Sequence, residues 1–294
     1  MRSETLTIGG GSFHYLDSGP PDAPILLLLH GFPEYSGAWA DLAPHLDGYR
    51  LIAPDQRGYG RSWAPSGIGY YKASELVGDM VQLISHLGGA PVVAVGHDWG
   101  AAVAYALTIV RPDLVERLIV MNGVHPVCFQ RELARGGRQS AASQYITWLR
   151  RDGSEDALAK DDFAHLLNLF SNTMDMSWLS GDRLAAYKQE WARPGRLQAM
   201  VNWYRATPLA VANAGQPLTG LPYMHPANYR VPVPHLLIWG ENDTALLPET
   251  YAELGDFCDD LTVQTLPGTD HWLHHQDPAG VAAHIKAWLA RPAT

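Results

Sequence analysis

The sequence is poor in the features that mark several large protein classes. It carries two cysteines, Cys128 and Cys258, in 294 residues. That is too few for a disulfide framework and suits a reducing, cytoplasmic setting. No stretch of about 20 apolar residues is present, so no membrane span is expected. The opening MRSETLTIGGGSFHY lacks the charged-then-apolar pattern of a secretory leader. Positive charge is scarce as well: 21 Lys and Arg against 30 Asp and Glu give a net charge of −9, with no basic stripe. That balance argues against a nucleic-acid partner. Neither an internal repeat nor a low-complexity tract is found. What remains, 47% hydrophobic and 17% charged residues, is the composition of a globular chain. Its length accommodates one large α/β domain with an inserted subdomain and a sizeable core.

The first part of the chain alternates between strand and helix patterns. SFHYLDSG reads as an early strand, and PILLLLHG (24–31) as a buried central one, because an uninterrupted apolar run fits a strand covered on both faces. YRLIAPDQRGYGRS reads as a further strand entering a Gly-rich loop, KASELVGDMVQLISHLG as a helix, and VVAVGH as the next strand. A helix follows and ends near Arg111-Pro112, and RLIVMNG is again a strand. This βαβ rhythm predicts a mostly parallel sheet with helices on both faces. From Cys128 onward helical patterns replace it: SAASQYITWLRR, EDALAKDDFAHLLNLF, GDRLAAYKQEWA and GRLQAMVNWYRA. A loop rich in Pro and Gly precedes the last strands, PHLLIWG and LTVQTLPG, and the closing helix, GVAAHIKAWLA. The expected organisation is a core of residues 1–127 and 226–294 split by a helical cap at 128–225.

One further absence directs attention to the chemistry. The stretch VVAVGHDWGAAVAYAL, residues 92–107, has the strand, Gly-x-residue-x-Gly, helix layout of a nucleophile elbow, yet it has no serine at the centre. Asp98 stands there instead. Asp243, after HLLIWG, and His271, in PGTDHWLHH, also lie just past the carboxyl ends of expected core strands, where parallel sheets place their sites. The chain order of nucleophile, acid and histidine is that of the α/β-hydrolase triad. Asp98 as a plain helix N-cap is the competing reading.

Six stretches in register, HGFPE (30–34), DQRGYGRS (55–62), GHDWGA (96–101), NWYRA (202–206), WGENDTALLP (239–248) and DHWLHHQDP (270–278), give the chain an almost end-to-end resemblance to α/β-hydrolases of the epoxide hydrolase branch, close to the haloalkane dehalogenases. The resemblance implies an α/β-hydrolase fold with an inserted helical cap. It also implies conversion of an epoxide to a vicinal diol through an alkyl-enzyme ester on Asp98. A carboxylate suits attack on an sp³ carbon and, being ionised near neutral pH, needs no base for it. His271, oriented by Asp243, would activate water for hydrolysis of the ester. The main-chain N–H groups of Phe32 and Trp99 would form the oxyanion hole. Two cap tyrosines would donate to the epoxide oxygen; Tyr204 in NWYR matches one, and Tyr145 in SQYITWL is aligned with the other. Phe32, Trp99 and Trp148 are expected to line the substrate pocket. Phe32-Pro33 is expected to be cis. The partners implied are a small apolar epoxide and water, without cofactor or metal, and a homodimer is compatible with the sequence.

Other readings stay open at this level. Haloalkane or haloacid dehalogenases use the same nucleophile; fluoroacetate dehalogenases, however, carry Arg after it and a His-Trp pair in the cap, where this chain has Trp99 and Tyr145-Ile146. A non-catalytic relative that binds a small ligand under the cap is a third reading. Glu241 rivals Asp243 as the acid. His30 is read as shaping the oxyanion loop and His97 as a packed neighbour. His274 and His275 are read as part of a solvated helix rather than as metal ligands. The cap aromatics Phe163, Phe170, Trp178, Trp191 and Trp203 either line a pocket or pack the cap.

Overall fold

The computed structural model describes residues 1–291. Eight strands form one sheet: β1 (Arg2–Ile8), β2 (Gly11–Ser18), β3 (Ile25–Leu29), β4 (Arg50–Pro54), β5 (Val92–His97), β6 (Val115–Met121), β7 (His235–Gly240) and β8 (Leu261–Leu266). Their spatial order is β1-β2-β4-β3-β5-β6-β7-β8. From β4 through β8 every neighbouring pair is parallel, while β1 and β2 are antiparallel additions at one edge. The β1–β2 hairpin turns at Gly9 and Gly10, both at positive φ (55° and 86°), the backbone that a two-residue turn of this kind requires. β1 was not evident from the sequence because its side chains are largely exposed and no apolar run marks it.

The apolar run of β3 divides between two faces. Leu27 and Leu29 join one core cluster and Leu26 and Leu28 the other, as the twofold side-chain alternation of a strand dictates. Helices α1 (Ala73–His86) and α2 (Trp99–Val110) cover the first face, through residues such as Met80, Val103 and Leu107. The second face is covered by the closing helix, through Val281, Ile285 and Trp288.

Between β6 and β7 the described residues contribute no strand to the sheet. They form α3 (Pro126–Ala134), α4 (Arg138–Ala142), α5 (Gln144–Leu149), α6 (Ser154–Ser171), α7 (Gly181–Trp191) and α8 (Arg196–Ala206). Two further helices, α9 (Leu273–Gln276) and α10 (Pro278–Leu289), complete the chain. Pro126 at the first turn of α3 is a helix-start signal. The segment read as one amphipathic helix, α6, is broken: Asp161, Asp162 and Phe163 sit at φ 50°, 55° and 67°. Aspartate tolerates this left-handed backbone better than most residues, and Phe163 is fixed there by an edge-on contact with Trp191, centroids 5.5 Å apart.

The helical segment is tied to the sheet by polar contacts from aromatic residues. The Trp191 indole donates to the Pro33 carbonyl at 2.6 Å, and the Trp203 indole to the Arg57 carbonyl at 3.0 Å. These two tryptophans are therefore packing residues. α9 departs from expectation: His274 is fully buried and His275 only 8% exposed, so this short helix is not solvated. It is enclosed by segments distant in sequence, including Trp39 and Trp178.

Candidate active site

The elbow is sharp. Asp98 has φ 52° and ψ −120°, a strained conformation for a residue with a side chain, of the kind that collects at functional sites. The residues two positions to either side have to be glycine. A Cβ on Gly100 would lie 2.0 Å from the Leu29 carbonyl oxygen, and one on Gly96 2.6 Å from Ala101 Cα. α2 starts at Trp99, immediately after Asp98, which places the positive dipole end of the helix beside that residue. From the facing loop, Phe32 N–H donates to Asp98 Oδ1 at 2.8 Å. The Phe32-Pro33 bond in that loop is cis, as expected.

His271 arrives from the loop after β8. Its Nδ1 donates to Asp243 Oδ2 at 2.8 Å, and its Nε2 stands 3.8 Å from Asp98 Oδ2. Burial works to lower the imidazole pKa, but the Asp243 charge and hydrogen bond, joined by Asp98 and Asp270, outweigh it and raise the pKa to about 9. Asp243 is enclosed, which favours its neutral form. His271, the N–H groups of Ala245 and Leu246 on Oδ1 (2.8 and 2.9 Å) and Asn122 nevertheless keep its pKa below the ordinary value. Glu241, the rival acid, is exposed, and no contact joins it to His271 among the described residues.

Two positioning residues escaped the sequence reading. Asn122, at the end of β6, donates from Nδ2 to Asp243 Oδ2 at 2.7 Å and accepts from Gly240 N–H at 2.7 Å. Only its place just past a core strand, in MNG, hinted at this. His97, read as a packed neighbour, donates from Nε2 to the His271 carbonyl at 2.8 Å and so fixes the backbone that carries the base. His30 sits at the start of the loop that carries Phe32, where its Nδ1 donates to the Gly31 carbonyl at 3.0 Å and its Nε2 accepts from Gln56 N–H at 3.2 Å.

Above Asp98 a cavity of about 530 Å³, part of it open to solvent, is lined by Phe32, Asp98, Tyr145, Tyr204 and His271 together with Leu169, Phe170, Met174 and the two threonines Thr173 and Thr244. Tyr145 comes from α5 and Tyr204 from α8, with ring centroids 6.2 Å apart. Tyr204 also packs edge-on against Phe32 (5.3 Å) and Trp99 (5.0 Å). Burial raises both phenol pKa values; nearby Asp98 adds to this for each, as does Tyr145 for Tyr204. Both are held as neutral donors. The structure therefore brings together Asp98, Asp243, His271, Phe32, Trp99, Tyr145 and Tyr204.

Two tryptophans depart from the expected pocket lining. Trp99 is not on the cavity wall and packs edge-on against Trp203 and Tyr204. Trp148 is the second. It does not reach the cavity wall but stacks on His165, centroids 5.7 Å apart and planes within 7°. Three residues on from Tyr145 in a six-residue helix, its side chain packs against the neighbouring α6. Of Phe163, Phe170, Trp178, Trp191 and Trp203, Phe170 alone is on the wall of this cavity.

The profile of the alpha/beta hydrolase fold family matches residues 24–278. AB hydrolase superfamily protein YfhM of Bacillus subtilis (strain 168) is 32% identical over 292 residues, 98% of either chain. Epoxide hydrolase 4 of Homo sapiens is 32% identical over 282 residues, covering 92% of this chain and 73% of that one. Among solved structures, one of the novel epoxide hydrolases from metagenomes of hot environments superimposes with a TM-score of 0.88 at 32% identity, covering 99% of both chains. The Bacillus megaterium epoxide hydrolase, solved with an inhibitor, gives 0.86 at 28% identity over 98% of this chain and 100% of that one.

Proposed function

The chain belongs to the α/β-hydrolase fold family, in its epoxide hydrolase group, and on that premise we propose that it hydrolyses a small apolar epoxide to a vicinal diol through an ester on Asp98. The observation that carries this reading is the placement of two neutral phenols, Tyr145 and Tyr204, on the same cavity wall as the Asp98 carboxylate and the His271 imidazole. A halide leaving group needs no proton donor; an opening epoxide does, because its oxygen leaves as an alkoxide.

In the first step an Asp98 carboxylate oxygen forms a bond to one epoxide carbon while the carbon–oxygen bond of the ring breaks. The alkoxide takes a proton from Tyr145 or Tyr204. Alkylation turns Asp98 from an anion into a neutral ester and removes one of the charges that hold His271 protonated. The imidazole then releases its proton to solvent and becomes the base for the second step; it regains one from solvent once the Asp98 carboxylate is restored. Water gives a proton to His271 Nε2 and its oxygen attacks the ester carbonyl carbon. The resulting oxyanion accepts from Phe32 N–H, already directed at Asp98 Oδ1, and from Trp99 N–H at the start of α2. Collapse releases the diol, whose oxygen takes the proton from His271, and the regenerated Asp98 carboxyl proton returns through solvent to the tyrosinate.

Residues 128–225 act as the cap that supplies the tyrosines and Phe170, over a core of residues 1–127 and 226–294. All site residues come from one chain, so the chemistry needs no partner subunit. Cytoplasmic residence is consistent with both cysteines being unpaired and buried, and no helix among the described residues is long and apolar enough to cross a membrane.

The test is a trapping experiment. His271→Gln enzyme mixed with styrene oxide and examined by mass spectrometry is expected to accumulate an adduct on the peptide containing Asp98, while the unaltered enzyme yields diol. Chlorobutane run in parallel is expected to give no halide. Halide release without diol, or an adduct elsewhere, overturns the reading.

A further inference from the structure

Glu34, His274 and His275 meet in the core, and none of them lines the catalytic cavity. Glu34 closes the loop that carries Phe32; the two histidines are the middle two of the four residues of α9, which follows His271. Glu34 is 1% exposed, His274 0% and His275 8%. One atom from each lies within 4.8 Å of the others.

The hydrogen bonding of this group is incomplete. Glu34 Oε1 accepts from Tyr187 Oη at 2.9 Å and from His275 Nε2 at 2.7 Å. Glu34 Oε2, both ring nitrogens of His274 and Nδ1 of His275 are buried without a hydrogen-bond partner. A neutral imidazole has one donor and one acceptor, and His274 satisfies neither, a costly state inside a protein. His97 adds to the imbalance. Its Nε2 donates to the His271 carbonyl, while its Nδ1 stands 3.3 Å from Glu34 Oε2, both atoms buried without a hydrogen-bond partner.

We propose that Glu34, His274 and His275 form a binding site for one borderline-soft divalent cation of the Zn²⁺ type. Two imidazoles and a carboxylate are a ligand set that zinc accepts. Ligands about 2.0–2.1 Å from a tetrahedral ion stand roughly 3.3–3.4 Å from one another; His274 Nε2 and Glu34 Oε2 are 3.4 Å apart. His275 Nδ1 has the Asp41 carboxylate as a nearby negative charge at 3.9 Å, beyond hydrogen-bond distance. Its ring plane is fixed by stacking on Trp178 at 3.7 Å. Binding requires His275 Nε2 and Glu34 Oε1, 2.7 Å apart, to separate by about 0.6–0.7 Å to reach the tetrahedral spacing. Nitrogen ligands select Zn²⁺, Co²⁺ or Ni²⁺ over Mg²⁺ and Ca²⁺. The ion would join the oxyanion-hole loop to the helix behind the catalytic base, a structural role remote from the reacting atoms.

The experiment uses untagged full-length protein, stripped with chelator and titrated calorimetrically with ZnCl₂ or MgCl₂. One equivalent of Zn²⁺ is expected to bind and raise Tm, with no response to Mg²⁺. Co²⁺ in place of Zn²⁺ is expected to produce the intense visible bands of a tetrahedral nitrogen–oxygen site, a readout that needs no variant. His274→Gln and His275→Gln, checked for folding by circular dichroism, are each expected to weaken Zn²⁺ binding about 100-fold, the loss of a directly bonded ligand being at least as large as that of its supporting partner. Absence of saturable binding, octahedral-type Co²⁺ spectra, or binding unchanged in both folded variants overturns the proposal and leaves a proton-sharing Glu–His cluster.

Discussion

His271 Nε2 stands 3.8 Å from Asp98 Oδ2. That is near enough for the two charges to stabilise each other and too far for a hydrogen bond. The carboxylate is left free to attack, and the base is already close to the atom it has to serve once the ester forms.

The carboxylates around His271, Asp243 first and Asp98 after it, set a pH dependence of stability. The His271 pKa is raised from 6.5 to about 9 in the folded protein. Folding therefore favours the protonated form, so the stabilisation is complete below pH 6.5 and is lost as pH rises through about 9. Urea unfolding at a series of pH values is expected to show a decline on the order of 3 kcal/mol across that window. His271→Gln is expected to flatten it. An equal decline in the variant would assign the effect to other groups.

The tyrosines are expected to contribute separately to ring opening. Tyr145→Phe and Tyr204→Phe are each predicted to slow single-turnover alkylation by about 10²–10³-fold, the usual loss for one donor to a developing oxyanion, with the later ester hydrolysis little changed. Stopped-flow tryptophan fluorescence separates the two phases. A phenylalanine variant with normal alkylation would remove that tyrosine from the mechanism.

Asn122 holds Asp243 in position through a 2.7 Å hydrogen bond. Asn122→Ala is predicted to lower kcat for diol formation about tenfold, the order expected when one hydrogen bond to a charged group is lost. It is also predicted to shift the pH profile of ester hydrolysis, which a merely structural role would leave in place. An unchanged profile would contradict the positioning role.

Phe170 lines the cavity and Trp148 does not. Phe170→Ala is predicted to change KM for bulky aryl epoxides about tenfold, whereas Trp148→Ala changes it less than about threefold, in keeping with pocket contacts dominating discrimination. The reverse order in steady-state kinetics would restore Trp148 to the pocket.

The elbow tolerates no side chain at Gly100, where a Cβ meets the Leu29 carbonyl oxygen at 2.0 Å. Gly100→Ala is predicted to cost about 3 kcal/mol or more, the overpacking penalty against immovable backbone. Thermal unfolding measures it, and an unchanged Tm would refute the close approach.

The sequence by itself determined the features encoded in a few consecutive residues or in chain order. The apolar run at 25–29 could only be a strand buried on both faces. Gly96 and Gly100 around Asp98 signalled a tight strand–helix turn, and the succession Asp98, Asp243, His271 pointed to groups that meet past the strand ends, with Glu241 still open as the acid. Tertiary structure decided whatever depends on which distant segment covers a given face. Trp148 and Tyr145 share one short helix, yet only Tyr145 reaches the cavity, because Trp148 packs against His165. The break at Asp161–Phe163 lies inside an unbroken helical pattern, where contacts with α7 override the local preference. His274 and His275, polar by composition, are enclosed because Glu34, some 240 positions earlier, is brought against them. Periodicity records that a face is apolar or polar; whether a polar face meets water or another polar group is settled only when the chain closes on itself.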